Sequence, residues 1–265
     1  MPTAAPTTFN AADHLVARHL REGDGARTAV VTPTRSLTYA ELDAEVRRVA
    51  AGLLALDVRP EERVLMCMVD EVELFASILA TMLVGAVAVP SSTMLTGHEL
   101  HDIVVDARAR VVIGSADYAA VVRVAVADAP DVRHVVLVGA DPGGLPSGVE
   151  GVGWSDFLHD GPVEPYATWP DSPALWLYTS GTTGVPKAAM HRHGNIRLVA
   201  EAYAGGVLGI TRDDRCLSVA KLFFAYGIGN SMFFPLTVGA TAVLEPSRPN
   251  PKLYADRIAE HGVTL

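Results

Sequence analysis

The chain has 265 residues, 49% of them hydrophobic and 19% charged, with a formal net charge of −9. That size and apolar content fit a folded chain of one or two domains with a sizeable core. The acidic balance and the lack of any basic run exclude the electrostatic footprint of a nucleic-acid binder. Cys67 and Cys216 lie far apart in sequence without a partner motif and read as reduced core thiols of a cytoplasmic protein, neither of them a nucleophile.

The first eight residues have neither the basic start nor the apolar core of a signal peptide and are expected to fray. Thr38-Tyr-Ala-Glu41 has capping-box spacing, and Leu42, Val46, Val49, Leu53 and Leu56 follow at helical intervals, so an amphipathic helix is predicted there. No charged residue occurs from Leu74 to Gly97. Pro90, Ser91 and Ser92 interrupt that stretch and Asp70, Glu71 and Glu73 precede it, which excludes a membrane span and predicts a buried helix leading into a short strand. Thr96-Gly-His-Glu99 repeats the capping box. Short β-branched runs at Val64–Val69, Ala86–Val89, Arg110–Ile113 and His134–Val138 alternate with these helices, the pattern of an α/β fold with a mostly parallel sheet. Asp141–Gly148 reads as a surface loop and Asp160–Asp171, with three prolines, as a connector feeding a buried strand at Ala174–Tyr178.

That strand runs into Tyr178-Thr-Ser-Gly-Thr-Thr-Gly-Val-Pro-Lys187, which packs four aliphatic hydroxyls, two glycines and a lysine into ten residues. Glycines let backbone N–H groups approach an anion, hydroxyls add donors, and the lysine supplies charge, so the stretch suits phosphate. It is not the Walker pattern, because Val185 and Pro186 separate Gly184 from Lys187.

The decapeptide resembles the phosphate loop of the adenylate-forming superfamily, which includes acyl-CoA synthetases, peptide-synthetase adenylation domains and beetle luciferases. Leu37–Leu42, and Gly85–Pro90 followed by Ser92 and Thr93, are similar to that superfamily's first two core motifs and stand in the right order. The resemblance covers the chain from about residue 10 to its end. It implies two interleaved αβα subdomains with mostly parallel sheets: one over 62–209 with the phosphate loop, the other combining 10–61 with 213–265. It also implies that Thr179, Ser180, Gly181, Thr182, Thr183, Gly184 and Lys187 hold the β- and γ-phosphates of ATP and the departing pyrophosphate, on a loop that stays mobile until ATP binds.

Lys221-Leu-Phe-Phe-Ala-Tyr-Gly-Ile-Gly-Asn230 gathers three aromatics and two glycines in a short apolar segment, a composition suited to a flat, dry slot. Phe223, Phe233 and Phe234 are equally compatible with plain core packing. The decamer resembles the corresponding motif of benzoate-CoA ligases and their hydroxybenzoate and aminobenzoate relatives. That resemblance puts Phe224 at an aromatic gate position, puts Ala225 and Tyr226 in the lining of an aryl-acid pocket, and lets Gly227 permit close approach. Ala202, counted forward from Lys187, falls where a related chlorobenzoate ligase has a pocket aromatic, so a small residue there widens the slot.

His191-Arg-His193 lacks Cys, Asp or Glu at ligand spacing and is read as structural, with His193 starting a helix; no metal site is assigned. Asp213-Asp214, flanked by Arg212 and Arg215, reads as a solvated turn.

The family resemblance implies a two-step reaction with ATP, Mg²⁺ and coenzyme A: an aryl carboxylate becomes an acyl-adenylate and then a CoA thioester. The superfamily's catalytic lysine, adenine- and magnesium-binding motif and C-terminal domain lie downstream of this stretch. No catalytic residue is therefore assigned, and the 265 residues alone are expected not to complete the ligation. His261–Leu265 reads as the opening of a buried strand, which points to a truncated form, and a homodimer is compatible with the sequence. Two other readings share the motifs: an adenylating enzyme that loads a carrier protein, and an inactive remnant or binding module.

Overall fold

The computed structural model describes residues 7–180 and 186–265. Both predicted capping boxes form. Thr38 Oγ1 accepts the Glu41 N–H at 3.2 Å while the Glu41 carboxylate accepts the Thr38 N–H at 2.8 Å, starting the helix Tyr39–Ala55. Thr96 and Glu99 repeat the exchange at the head of Gly97–Asp106. Leu42, Val46, Val49 and Leu53 are all buried, so the apolar stripe of the first helix is the face it packs. The uncharged stretch forms the helix Val72–Leu83, every residue of which is buried except Glu73. Gly85 then turns the chain at φ +77°, and a Cβ there would stand 2.6 Å from the Tyr166 ring.

Eleven strands among the described residues form two sheets. β1 (Thr28–Val31), β2 (Ser36–Thr38), β10 (Arg215–Leu217) and β11 (Thr241–Val243) make a four-stranded sheet in the order β10-β11-β1-β2, with only β2 antiparallel. β3 (Arg63–Cys67), β4 (Val87–Pro90), β5 (Ala109–Ser115), β6 (His134–Val138), β7 (Glu150–Gly153), β8 (Pro173–Ser180) and β9 (Pro186–Arg192) make a seven-stranded one. Its order is β7-β6-β5-β3-β4-β8-β9, and it is parallel except for β9, which pairs antiparallel with β8.

Alternation along these strands builds two cores. Val64, Met66, Val111, Ile113 and Val136 face the helices Tyr39–Ala55 and Val72–Leu83. Leu65, Cys67, Val112, Val135 and Leu137 face Gly97–Asp106 and Ala119–Ala125. The first core is shared by both sheets, and Tyr39 ties them by donating its hydroxyl to the Ala240 carbonyl at 2.8 Å. Asn10 anchors the N-terminal segment by donating to the Met82 and Leu83 carbonyls at 3.1 Å each. Both cysteines are buried, and burial pushes their thiols up to about 12, so they stay protonated. No helix among the described residues is long and apolar enough to cross a membrane.

The structure departs from the sequence reading at several points. β9 has no β-branched residue and gives no propensity signal; its strand geometry comes from pairing with β8. β1, β2, β7, β10 and β11 span three or four residues each, too short for a periodicity to register. His261–Leu265 is not a buried strand. His261 closes the helix Pro251–His261, Gly262 caps it at φ +58°, and Thr264 and Leu265 then lie exposed beside β10, the Leu265 carbonyl accepting the Leu217 N–H at 3.0 Å.

Candidate functional site

The hydroxyl- and glycine-rich stretch begins where β8 ends and β9 starts. Register pairs Thr179 with Lys187 and Ser180 with Pro186, so the threonine and the lysine of the sequence motif stand opposite each other at the end of the strand pair where the chain passes from β8 to β9. Both are exposed. Gly181, Thr182, Thr183 and Gly184 lie outside the described residues, as does the expectation that their loop is mobile. The preceding residue, Tyr178, points to the other side of the sheet and donates its hydroxyl to Asp106 at 2.5 Å. Burial, together with that carboxylate, pushes the phenol well above its ordinary range.

Two hollows flank this strand pair. The first, of about 450 Å³, is lined by Thr179, Pro186, Ser91, Ser92, Asp102 and Phe224 among others. The second, of about 460 Å³, lies on the face of β8 that presents Leu175 and Leu177, and is bordered by Ile196, Ala202, Ala225 and Phe233. Two widened, π-wound helical segments form part of its wall: Ala200–Leu208, which follows the helix His193–Val199, and Gly229–Phe233, which follows Ala225–Ile228. Such widening is uncommon and recurs at functional sites.

The expected aryl-pocket residues divide between these hollows. Phe224 lines the hollow that holds Thr179, and the next residue, Ala225, lines the apolar cavity, as does Ala202. The Phe224 ring is 45% exposed and tilts against Phe223 at 4.5 Å between centroids. Tyr226 is 66% exposed and borders neither hollow. Gly227 is buried, and its bare Cα faces protein backbone: a Cβ there would stand 2.0 Å from the Lys221 carbonyl oxygen. Close approach at Gly227 is therefore between two stretches of this chain. Phe223 belongs to the packing, whereas Phe233 and Phe234, although buried, also line the cavity.

The aromatic segment is held from beneath. Asp70, only 6% exposed, accepts the Leu222 N–H at 3.1 Å, and Lys221 donates to the Ser247 carbonyl at 2.7 Å and to the Glu245 carbonyl. Burial pushes the Asp70 carboxyl up to about 6 despite the pull of Lys221. Glu245 in turn takes the Arg257 guanidinium at 2.7 Å.

His193 starts its helix as expected and is structural. Its Nδ1 accepts the Ala11 N–H at 3.0 Å, and burial pulls the imidazole down to about 4, so it is neutral. The Asp213-Asp214 turn is a set of local ties: Asp214 accepts from the Thr211 N–H at 2.7 Å and from the Thr264 hydroxyl at 2.7 Å, and Asp213 pairs with Arg27. His19, Glu22 and Asp24 form a cluster of metal-ligand type, but its members are already engaged: His19 Nε2 bonds the Leu236 carbonyl at 2.6 Å and Asp24 pairs with Arg212.

The cavity-lining roles of Leu175, Leu177, His191, Asn195 and Ile228 escaped the sequence reading. Strand alternation places Leu175 and Leu177 on one face, and that signal was present. The position of His191 depends on β9, which had no signal of its own. Asp70 stood in the sequence only as one charge ahead of an apolar run.

The family described as AMP-binding enzyme matches residues 17–265. The chain is 39% identical over 257 residues to a 4-hydroxybenzoate–CoA/benzoate–CoA ligase of Rhodopseudomonas palustris, covering 97% of this chain and 47% of that protein. It is 36% identical over 257 residues to a benzoate–CoA ligase of Thauera aromatica, covering 97% and 48%. A crystal structure of an anthranilate CoA ligase in complex with anthranoyl-AMP superposes with a TM-score of 0.85 at 31% identity, covering 96% of this chain and 48% of that one. The chain thus spans about half the length of the curated relatives it matches.

Proposed function

The chain belongs to the AMP-binding enzyme family, and from that premise we propose that it forms the phosphate- and aryl-binding part of an aromatic carboxylic acid:CoA ligase. The observation that carries this reading is the apolar cavity of about 460 Å³ built on β8 and β9, the same strand pair that presents Thr179 and Lys187. An apolar slot and a phosphate-holding motif on one support let a ring be buried while its carboxylate stays near ATP. The ligase names of its relatives, and the anthranoyl-AMP held by one of them, agree with that arrangement.

In the reaction, an oxygen of the aryl carboxylate attacks the α-phosphorus of ATP·Mg²⁺. The bond from that phosphorus to the bridging oxygen breaks, and pyrophosphate leaves. The coenzyme A thiol, losing its proton, then attacks the acyl carbon of the adenylate and expels AMP. Thr179, Ser180, Gly181, Thr182, Thr183, Gly184 and Lys187 hold the β- and γ-phosphates and neutralise the charge that gathers on pyrophosphate. Mg²⁺ arrives with its nucleotide. Ala202 and Ala225 leave room for the ring, and Phe224, which lines the hollow that holds Thr179, is the gate. Tyr226 belongs to the same aromatic segment as Phe224 and Ala225, and Gly227 serves by letting that segment fold back on Lys221.

In this reading residues 62–209 form one subdomain, and 10–61 with 213–265 part of a second. The partition of strands between the two sheets supports the division, while their shared core makes the two units interdependent. A cytoplasmic location is in keeping with ATP and coenzyme A as its substrates. Incubating the protein, as its gene encodes it, with ATP·Mg²⁺ and radiolabelled benzoate tests the proposal: label is expected in an aryl-AMP ester, and none with any benzoate would overturn it.

A further inference from the structure

The cavity has a chemical bias that the function above leaves unused, and the inference drawn from it rests on that function. Among the described residues that line it none is Asp, Glu, Lys or Arg, and two are polar: His191 on β9 and Asn195 in the first turn of the helix His193–Val199. Register sets His191 opposite Leu175, itself a lining residue, so both side chains stand on the cavity face of the sheet. Their charged neighbours are spoken for: Arg192 binds Asp171 at 2.6 Å and Arg197 binds Glu201 at 2.6 Å. By contrast, neither the His191 nor the Asn195 side chain is hydrogen-bonded among the described residues. Burial lowers the His191 imidazole below its ordinary value, which favours the neutral ring at pH 7.

A neutral imidazole and a carboxamide offer both donors and acceptors and no charge. We propose that His191 and Asn195 read the ring substituent: the cavity takes a benzoate bearing a hydroxyl group and turns away a ring bearing a second carboxylate. The hydroxyl donates to one of these side chains and accepts from the other. Each such neutral bond is worth on the order of a threefold to tenfold preference over an unsubstituted ring. A second carboxylate would enter an apolar space whose described lining carries no cation, a far larger penalty.

The test is a binding panel on the protein as its gene encodes it, by titration calorimetry with benzoate, 3-hydroxybenzoate, 4-hydroxybenzoate and benzene-1,4-dicarboxylate. At least one hydroxybenzoate is expected to bind about tenfold more tightly than benzoate, and the dicarboxylate more than about a hundredfold more weakly than benzoate. The hydroxyl preference should fall towards unity in His191→Leu and Asn195→Leu and persist in His191→Gln. Equal affinities for benzoate and both hydroxybenzoates, a preference unmoved by the two leucine variants, or tight binding of the dicarboxylate would overturn the inference. The wild-type panel needs no variant to fold. Binding of benzoate without discrimination overturns this inference alone, whereas failure of every aryl acid to bind overturns the ligase reading and this inference with it.

Discussion

Asp70 and Leu222, 152 residues apart, are joined by a 3.1 Å hydrogen bond in which a buried carboxylate accepts a backbone N–H. The bond fixes the start of the aromatic segment to the loop that follows β3. The contact is made at an electrostatic cost, because burial raises the carboxyl from 3.8 to about 6. A raised acid pKa favours the native state while the group is protonated; that stability is complete below about pH 4 and is lost as pH rises through about 6.

Asp70→Asn keeps an acceptor for the Leu222 N–H and removes the charge. The shift corresponds to a gain of about 3 kcal/mol in unfolding free energy at pH 8, an upper figure, shrinking to nothing near pH 4. Urea melts across that pH range check it. Asp70→Ala, which strands the N–H, is expected to lose about 1–3 kcal/mol at low pH.

Gly227→Ala drives a methyl group to 2.0 Å from the Lys221 carbonyl oxygen and 2.4 Å from that of Ala220, both backbone atoms that cannot turn aside. The segment must shift, with a loss of roughly 1–3 kcal/mol and weakened binding of aryl acids. Gly206→Ala is the control: its Cβ meets only the Glu201 carbonyl at 3.7 Å, and a gain of about 0.4–1 kcal/mol is expected. Thermal melts of the two variants should move in opposite directions.

Tyr39→Phe leaves the Ala240 carbonyl without its 2.8 Å donor in the core shared by both sheets. A destabilisation of about 1–3 kcal/mol is expected, read as a lower urea midpoint with unchanged slope.

These sites also show what the sequence could carry. Both capping boxes, the amphipathic helix through Leu53 and the buried helix Val72–Leu83 were legible, because each depends on residues within one or two turns of one another. The strand ahead of Thr179 was legible for the same reason. Asp70, His191 and the backbone packing at Gly227 were not. Each acquires its role from a partner distant in the chain or from a strand formed only by pairing.

Lys187→Met removes the charge opposite Thr179 and leaves the cavity residues in place. In pyrophosphate exchange the rate is expected to fall roughly 10²- to 10³-fold, with little change in benzoate affinity. Equal losses in both would mean the lysine supports the fold and not the nucleotide.

The most direct measurement is isotope exchange between pyrophosphate and ATP, catalysed by the protein as its gene encodes it, with benzoate, acetate and palmitate compared as the acid. Exchange that depends on benzoate and exceeds that with either aliphatic acid by at least about tenfold is the result expected of the proposed aryl slot on β8 and β9. Exchange driven best by palmitate or acetate, or absent with every benzoate, would contradict the account.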